Sequence, residues 1–441
     1  MDISRRNLLK STASLSVLAS LGLPSLTLAS PSNDYRALIC VYLSGGNDAI
    51  NTVLPLSDSH YQAYKAVRSN LAVERDTILS THLTATDNYG NEVPLGLHPS
   101  LSALQPLFER GDANVVLNSG ILERPLSKSE IEQDKDVLPT HLFSHNSQRN
   151  SWLSGGMPVD SNLGWAGRML DVLSSQADVT PLYSIHGDSL WLRSVDHTQT
   201  VLKQDRVLQL TAIHKSDFNE AYAKIQAIKP ASLFGNHFNT MTEQSMLMSQ
   251  LLASELKSVE PVAGFSKSSL GKQLNMVFKL ISRQSSLSQQ RQIFFVKHTG
   301  YDVHDAQLTK HPSLLKDLSE NLSALYQALD EQGLSDSVTT FTMSDFGRRM
   351  TSNGNGTDHG WGGHQLVIGG AVKSTQPIGT WPELVLGGED DYSKGRLIPK
   401  IAADQVGATL AQWMGISDGA ALDYVFPNIR NFSTSNLGFM A

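Results

Sequence analysis

Apolar positions in this chain come in short runs that end on glycine or small polar residues. Arg36–Leu43 is largely apolar and breaks at Ser44-Gly45-Gly46, as a strand buried on both faces of a parallel sheet does. Ala113–Leu117, Gln292–Lys297, Val338–Met343 and Gln365–Ile368 repeat the pattern. Between them the apolar residues stand three and four apart. His98–Arg110 carries Leu101, Leu104, Leu107 and Phe108 at helical spacing, with Pro99 in its first turn and Gly111 as its stop. Pro312–Gln332 sets Leu314, Leu315, Leu318, Leu322, Leu325 and Leu329 on one face before Gly333, and Ala402–Met414 is a further helix. Strands alternating with helices predict an α/β domain with a mostly parallel central sheet and helices on both faces. Residues 198–288, rich in Ser, Gln, Lys and Met, read as a helical insertion within one domain spanning 30–441.

The N-terminus departs from this grammar. Ser4-Arg5-Arg6-Asn7-Leu8-Leu9-Lys10 precedes an apolar run from Leu15 to Leu28 that is interrupted by Gly22 and Pro24 and ends at Ala29. The run falls short of the about 20 apolar residues that a membrane span needs. A charged start, a modest apolar stretch and a small-residue end make a removable export signal, and the arginine pair points to the twin-arginine route. The expectation is a periplasmic or secreted protein that meets the twin-arginine translocase during export and keeps no stable membrane span. Residues 1–29 carry Arg5, Arg6 and Lys10 against Asp2, so their removal takes the net charge from −7 to −9. That balance argues against a nucleic-acid partner, which calls for a basic stripe. The single cysteine, Cys40, lies within the first apolar run; it has no partner for an internal disulfide and reads as core packing.

Polar clusters follow the predicted strand ends, where open α/β sheets place their sites. Ser44-Gly45-Gly46-Asn47-Asp48 is either a plain turn or a loop presenting Asp48. Phe143 through Trp152 has no clear apolar face; it is either a solvated loop docked by Trp152 or a segment in which Ser144, His145 and Arg149 supply nucleophile, proton-transfer partner and anion clamp. In His298-Thr299-Gly300-Tyr301-Asp302-Val303-His304-Asp305, Asp302 and His304 are two apart and share a side of an extended segment. Mixed carboxylate and imidazole ligands suit zinc or a similar divalent ion, whereas His298 and His311 read more simply as core or surface histidines. The densest cluster runs from Ser344-Asp345-Phe346-Gly347-Arg348-Arg349 to Gly356-Thr357-Asp358-His359-Gly360, with His364 beyond it. Asp48, Asp302, His304, Asp345 and His359 together would suffice for one or two metal ions.

These same segments resemble the exported bacterial proteins called domain of unknown function 1501, in order and over essentially the whole chain after the signal. That family is grouped with the alkaline-phosphatase and sulfatase superfamily. The resemblance implies an alkaline phosphatase-like fold, divalent metal (zinc, with manganese or calcium as alternatives) at the strand ends, and a hydroxyl attacking phosphorus or sulfur. Carried over by position, it implies Asp48, Asp302, His304, Asp345 and His359 as metal ligands, Ser144 as nucleophile, and His145 and Arg149 as holders of the transferred group. The chain differs from the superfamily in carrying Asp345-Phe346 where Asp-His is usual, so one histidine ligand is either missing or supplied from elsewhere, with His364 and His145 as the candidates. The leading expectation is a metal-dependent hydrolase acting on an anionic small-molecule or polysaccharide ester. The rival is a catalytically silent binding or assembly factor of the cell envelope on the same fold. A metal-independent serine esterase lacks the Gly-x-Ser-x-Gly setting at Ser144.

Overall fold

The computed structural model describes residues 35–158, 161–173, 180–209, 216–228, 232–260, 262–373 and 375–441; the segment read as an export signal lies outside them. Eight strands form the central sheet: β1 Arg36–Ser44, β2 Ala113–Gly120, β3 Leu182–Ser184, β4 Thr200–Val201, β5 Arg291–Thr299, β6 Val338–Ser344, β7 Gly363–Ile368 and β8 Ile401–Ala402. Their spatial order is β8-β2-β7-β6-β1-β5-β3-β4. β1 pairs in parallel with β5 on one side and β6 on the other, while β7 runs against both β2 and β6. The architecture is the expected α/β one, with a mixed, mostly parallel sheet.

The alternation of side chains along β1 divides the core. Ala37, Ile39, Val41 and Leu43 join one apolar layer with the helices Ser269–Ile281 and Gln307–Glu331. Leu38, Cys40 and Tyr42 join the other, with the helices Trp165–Leu173 and Ala403–Met414. Both faces of the strand are thus covered, which is why its sequence is nearly continuously apolar. Cys40 is fully buried, and burial pushes its thiol well above the usual range.

Several elements differ from the sequence pattern. The helix expected over 98–110 is a 3-10 turn at Pro99–Leu101 and a short helix at Gln105–Arg110, because Pro106 has no N–H to continue a single ladder. The helix expected from Pro312 begins at Gln307 and holds Pro312 inside it. The segment after Phe143 is a helix, His145–Ser154, whose buried side is Gln148, Trp152, Leu153 and Ser154. A polar Gln in that stripe is what hides its periodicity. The glycine-rich stretch after β6 is a hairpin, Arg348–Ser352 with Thr357–His359. Between β4 and β5 the described residues form the helices Ser216–Gln226, Leu233–Lys257 and Ser269–Ile281, of which the last is built into the core. Among the described residues no helix is long and apolar enough to cross a membrane.

Register brings the polar loops together. Ser44 lies opposite Thr299, and Leu43 opposite Ser344, so the loops leaving β1, β5 and β6 emerge side by side. Gly45 has φ +121°, and a Cβ there would stand 2.3 Å from the backbone nitrogen of Asp302. The loop therefore needs glycine both for its conformation and for its contact.

The His145 helix is fixed at its other end. A Cβ on Gly156 would stand 2.6 Å from Asp404 Oδ2, so the chain leaving that helix rests directly on the start of the Ala403–Met414 helix. Asp404 is 4% exposed, and its Oδ2 has no hydrogen-bond partner. Burial raises its pKa to about 7, with Arg168 opposing the rise. The folded protein thus binds this proton more tightly than the unfolded chain does, and stability from this group falls as pH rises from about 4 to about 7. Asp404→Asn cannot ionise. Its stability relative to the native protein is expected to improve between pH 5 and pH 8 by on the order of 1–3 kcal/mol. Denaturant unfolding at the two pH values checks this, and an unchanged difference would contradict it.

Candidate metal centre

Above the carboxyl ends of β1, β5 and β6, three imidazoles converge on Asp302. Its Oδ1 is 3.1 Å from His304 Nε2 and 3.4 Å from His359 Nε2, and its Oδ2 is 3.4 Å from His145 Nε2. The Nε2 atoms of His304 and His359 are themselves 3.0 Å apart. One ligand atom from each of His145, Asp302 and His359 lies within 4.8 Å of the other two.

The outer ring nitrogens settle which inner ones can ligate. His359 Nδ1 is 2.9 Å from the carbonyl oxygen of Phe143, which only accepts, so Nδ1 carries the proton and Nε2 the lone pair. His145 Nδ1 is 2.8 Å from Asp345 Oδ2, an oxygen that already accepts from the Gly45 backbone N–H at 2.8 Å. With that carboxylate ionised the same tautomer holds, and His145 Nε2 is buried with no hydrogen-bond partner. A histidine whose second nitrogen donates to a carboxylate or a carbonyl is the usual support of a metal ligand. A tetrahedral ion with bonds near 2.1 Å sets its ligand atoms roughly 3.4 Å apart, close to the spacings around Asp302. The residues present therefore fit a cation bound by two imidazoles and a carboxylate, with His304 beside it.

Charge and burial agree with that role. Burial lowers the pKa of His145, helped by His359, and burial also lowers that of His359, which favours the neutral, ligating form of each ring. Burial alone would raise the Asp302 pKa, but the Arg348 guanidinium, His145 and His304 hold it below the ordinary carboxylate range. Burial raises Asp345 to about 7 against the Gly45 hydrogen bond. Phe346 lies under the rings, its centroid 4.8 Å from that of His145 and 4.6 Å from that of His359. An apolar ring thus backs the cluster, and His145 reaches it from a helix while His359 reaches it from the hairpin.

The other predicted residues fall elsewhere. Asp48 is fully buried; Oδ1 accepts from Arg68 and Oδ2 from Gln307. Both oxygens of Asp48 are thus taken, one in the ion pair with Arg68 and the other by the Gln307 amide, and Asp48 is not among the trio of ligand atoms. Asp345 anchors His145 and lies outside the closest ligand trio. Ser144 takes the N-cap position of the His145 helix, yet its hydroxyl caps no backbone N–H. The turn into it is tight, with His141 and Phe143 both at positive φ. Arg149, one turn along that helix, lines a separate cavity with Lys297. His298 is tied to Tyr301 and Asp317, and His311 to Asn47. His364 is buried in β7, where its Nδ1 accepts from the Asn118 backbone; burial lowers His311 and His364 to about 3. Neither His311 nor His364 reaches the cluster.

A family model described as protein of unknown function (DUF1501) matches residues 35–397, and the chain belongs to that family. No curated protein matches it. Among solved structures, the lipoteichoic acid synthase LtaP from Listeria monocytogenes aligns over 91% of this chain and 78% of its own, with 11% identity and a TM-score of 0.34. Ps i-CgsB aligns over 92% and 78%, with 11% identity and a TM-score of 0.36. The soluble domain of lipooligosaccharide phosphoethanolamine transferase A from Neisseria meningitidis aligns over 90% and 94%, with 8% identity and a TM-score of 0.32. These likenesses are distant.

The two placements of carboxylate make opposite demands. Asp48→Asn leaves Arg68 buried beside a neutral partner, and a loss of about 3 kcal/mol in unfolding free energy is expected, with metal content of the folded protein unchanged. His359→Ala is expected to abolish binding of added zinc. Metal lost from Asp48→Asn at native stability would restore Asp48 as a ligand.

Proposed function

We propose that this chain is an exported, metal-dependent hydrolase of phosphate or sulfate esters, holding one divalent cation on His145, His359 and Asp302. The observation that carries this reading is the pair of histidines whose Nδ1 atoms are anchored and whose Nε2 atoms turn toward one carboxylate. Two imidazoles and one carboxylate favour zinc over calcium, which prefers all-oxygen sites. When bound, the cation supplies Lewis-acid polarisation of the ester oxygen and neutralises developing charge.

Ser144 is the candidate nucleophile, because it adjoins His145 and its hydroxyl is not taken up in capping. Its Oγ would bond to phosphorus or sulfur as the ester oxygen departs, and water would then release the group from the serine. The uncapped first turn of the His145 helix offers backbone N–H groups for the anion. The hydroxyl proton needs a base, and His304 is the most exposed of the three imidazoles at 43%, with its outer nitrogen facing Asp358 at 3.4 Å. The assembly-factor reading is favoured by one feature, the commitment of Asp48 to Arg68, which leaves the centre with a smaller ligand set than two ions need.

Metal analysis of protein purified from its own compartment is expected to give near-stoichiometric zinc, and metal-free protein after mild purification would sink the assignment. Ser144→Ala is expected to lower hydrolysis of phosphate or sulfate esters at least roughly 100-fold with metal retained. Full metal without turnover on a panel of both ester types would favour the binding factor. Replacing Arg5 and Arg6 with Lys is expected to keep the precursor inside the cell, and undiminished export would contradict the twin-arginine route.

A further inference from the structure

One helical turn from His145, the His145 helix borders a second cavity of about 410 Å³. Its lining includes Arg149 from that helix, Tyr42 from β1, Lys297 from β5, and Ser189 and Arg193 from the turn after β3. Four residues of helix separate the Cα atoms of His145 and Arg149 by roughly 6 Å, and Lys297 lies near the end of the strand whose following loop carries Asp302. The cavity is therefore continuous in the fold with the elements that carry the metal centre.

Its positive charge is only partly compensated, by Asp188, which also lines it. Arg193 is paired with Asp188 at 2.5 Å, but Arg149 donates only to the side chain of Asn146 at 3.1 Å. Neither Arg149 nor Lys297 has a carboxylate partner among the described residues. Partial burial and then the nearby Arg149 charge pull the Lys297 pKa below the lysine range, as expected of two cations facing one space. The floor is polar and unsatisfied as well. Tyr42 is 1% exposed and Ser189 3% exposed, and the hydroxyl of each has no hydrogen-bond partner. A buried hydroxyl without a partner is unfavourable, and here two of them border the same cavity as two unpaired cations.

We propose that this cavity is a recognition site for an anionic, hydroxyl-bearing ring, a sugar unit carrying a sulfate, phosphate or carboxylate, with Arg149 and Lys297 holding the anion and Tyr42 and Ser189 the hydroxyls. As a subsite for the substrate of the metal centre, it rests on the ester-hydrolase reading. As an anion site, it stands on its own charges. A cavity of this volume takes a ring with its substituents, and inorganic sulfate alone would leave the hydroxyl partners unmet.

The test is calorimetric titration of the exported protein, with chelator present and at low ionic strength, using glucose 6-sulfate, glucose 6-phosphate and glucuronate, against glucose and inorganic sulfate. At least one of the three ring anions is expected to bind tenfold or more tightly than glucose and than inorganic sulfate. Lys297→Gln is expected to weaken it about tenfold, or about 1.4 kcal/mol, and Lys297→Arg to retain it. Tyr42→Phe removes only an unpartnered oxygen, so it is expected to fold at native stability or better and still lose affinity several-fold. Absence of binding by all three anions, glucose binding as well as they do, or native affinity in Lys297→Gln or Tyr42→Phe overturns the proposal. Chelator separates the two readings: binding here does not require metal or turnover, and turnover with this site silent would leave the hydrolase reading intact.

Discussion

Arg348 carries a full positive charge at 2% exposure, and acceptors from three separate loops surround it. Nε donates to Gly46 O at 2.9 Å, Nη1 to Thr357 O at 3.0 Å, and Nη2 to Gly45 O at 2.6 Å and Tyr301 O at 2.9 Å, beside the Asp302 carboxylate. An arginine cannot shed its proton to escape burial, so a guanidinium in this position costs several kcal/mol unless those acceptors arrive. The loops after β1 and β5 and the hairpin after β6 are consequently formed together or not at all. The same contact keeps Asp302 ionised, which is the state a cation ligand requires.

Behind this layer a second set of polar groups is buried for support. Asp48 joins Arg68 to Gln307, Gln307 accepts from Thr357 at 2.7 Å, and Asn47 receives His311 at 3.0 Å. Apart from the Nε of Arg68, which has no hydrogen-bond partner, these groups are satisfied by another loop or helix, so the network specifies one arrangement of the chain behind the site rather than adding much net stability. Residues that look like ligands by type are here structural because a cation and an amide already fill their coordination directions.

The sheet was legible because β1, β5 and β6 are covered on both faces and so read as unbroken apolar runs. Asp302, His304, Asp345 and His359 were legible as a group because each follows a strand or lies in its glycine-rich sequel. For Asp48, position after a strand does not reveal that Arg68, at the end of the helix Asp58–Arg68, lies opposite. The anchor of His359 is a backbone carbonyl, which leaves no mark on sequence, and the helix carrying His145 hides its buried face behind Gln148. Arg348 stood in plain view beside Asp345, but its role depends on acceptors contributed by the main chain.

The place of β1 at the middle of the sheet bears on how the chain is made. Its two neighbours are residues 291–299 and 338–344, so this strand, the first among the described residues, stays without either partner until residues far along the polypeptide have been made. Pairings this remote in sequence make for slow folding and a long-lived apolar segment at risk of aggregation. During synthesis the strand Arg36–Ser44 is the segment a holding chaperone would have to shield, and its release becomes possible only when β6 is in hand.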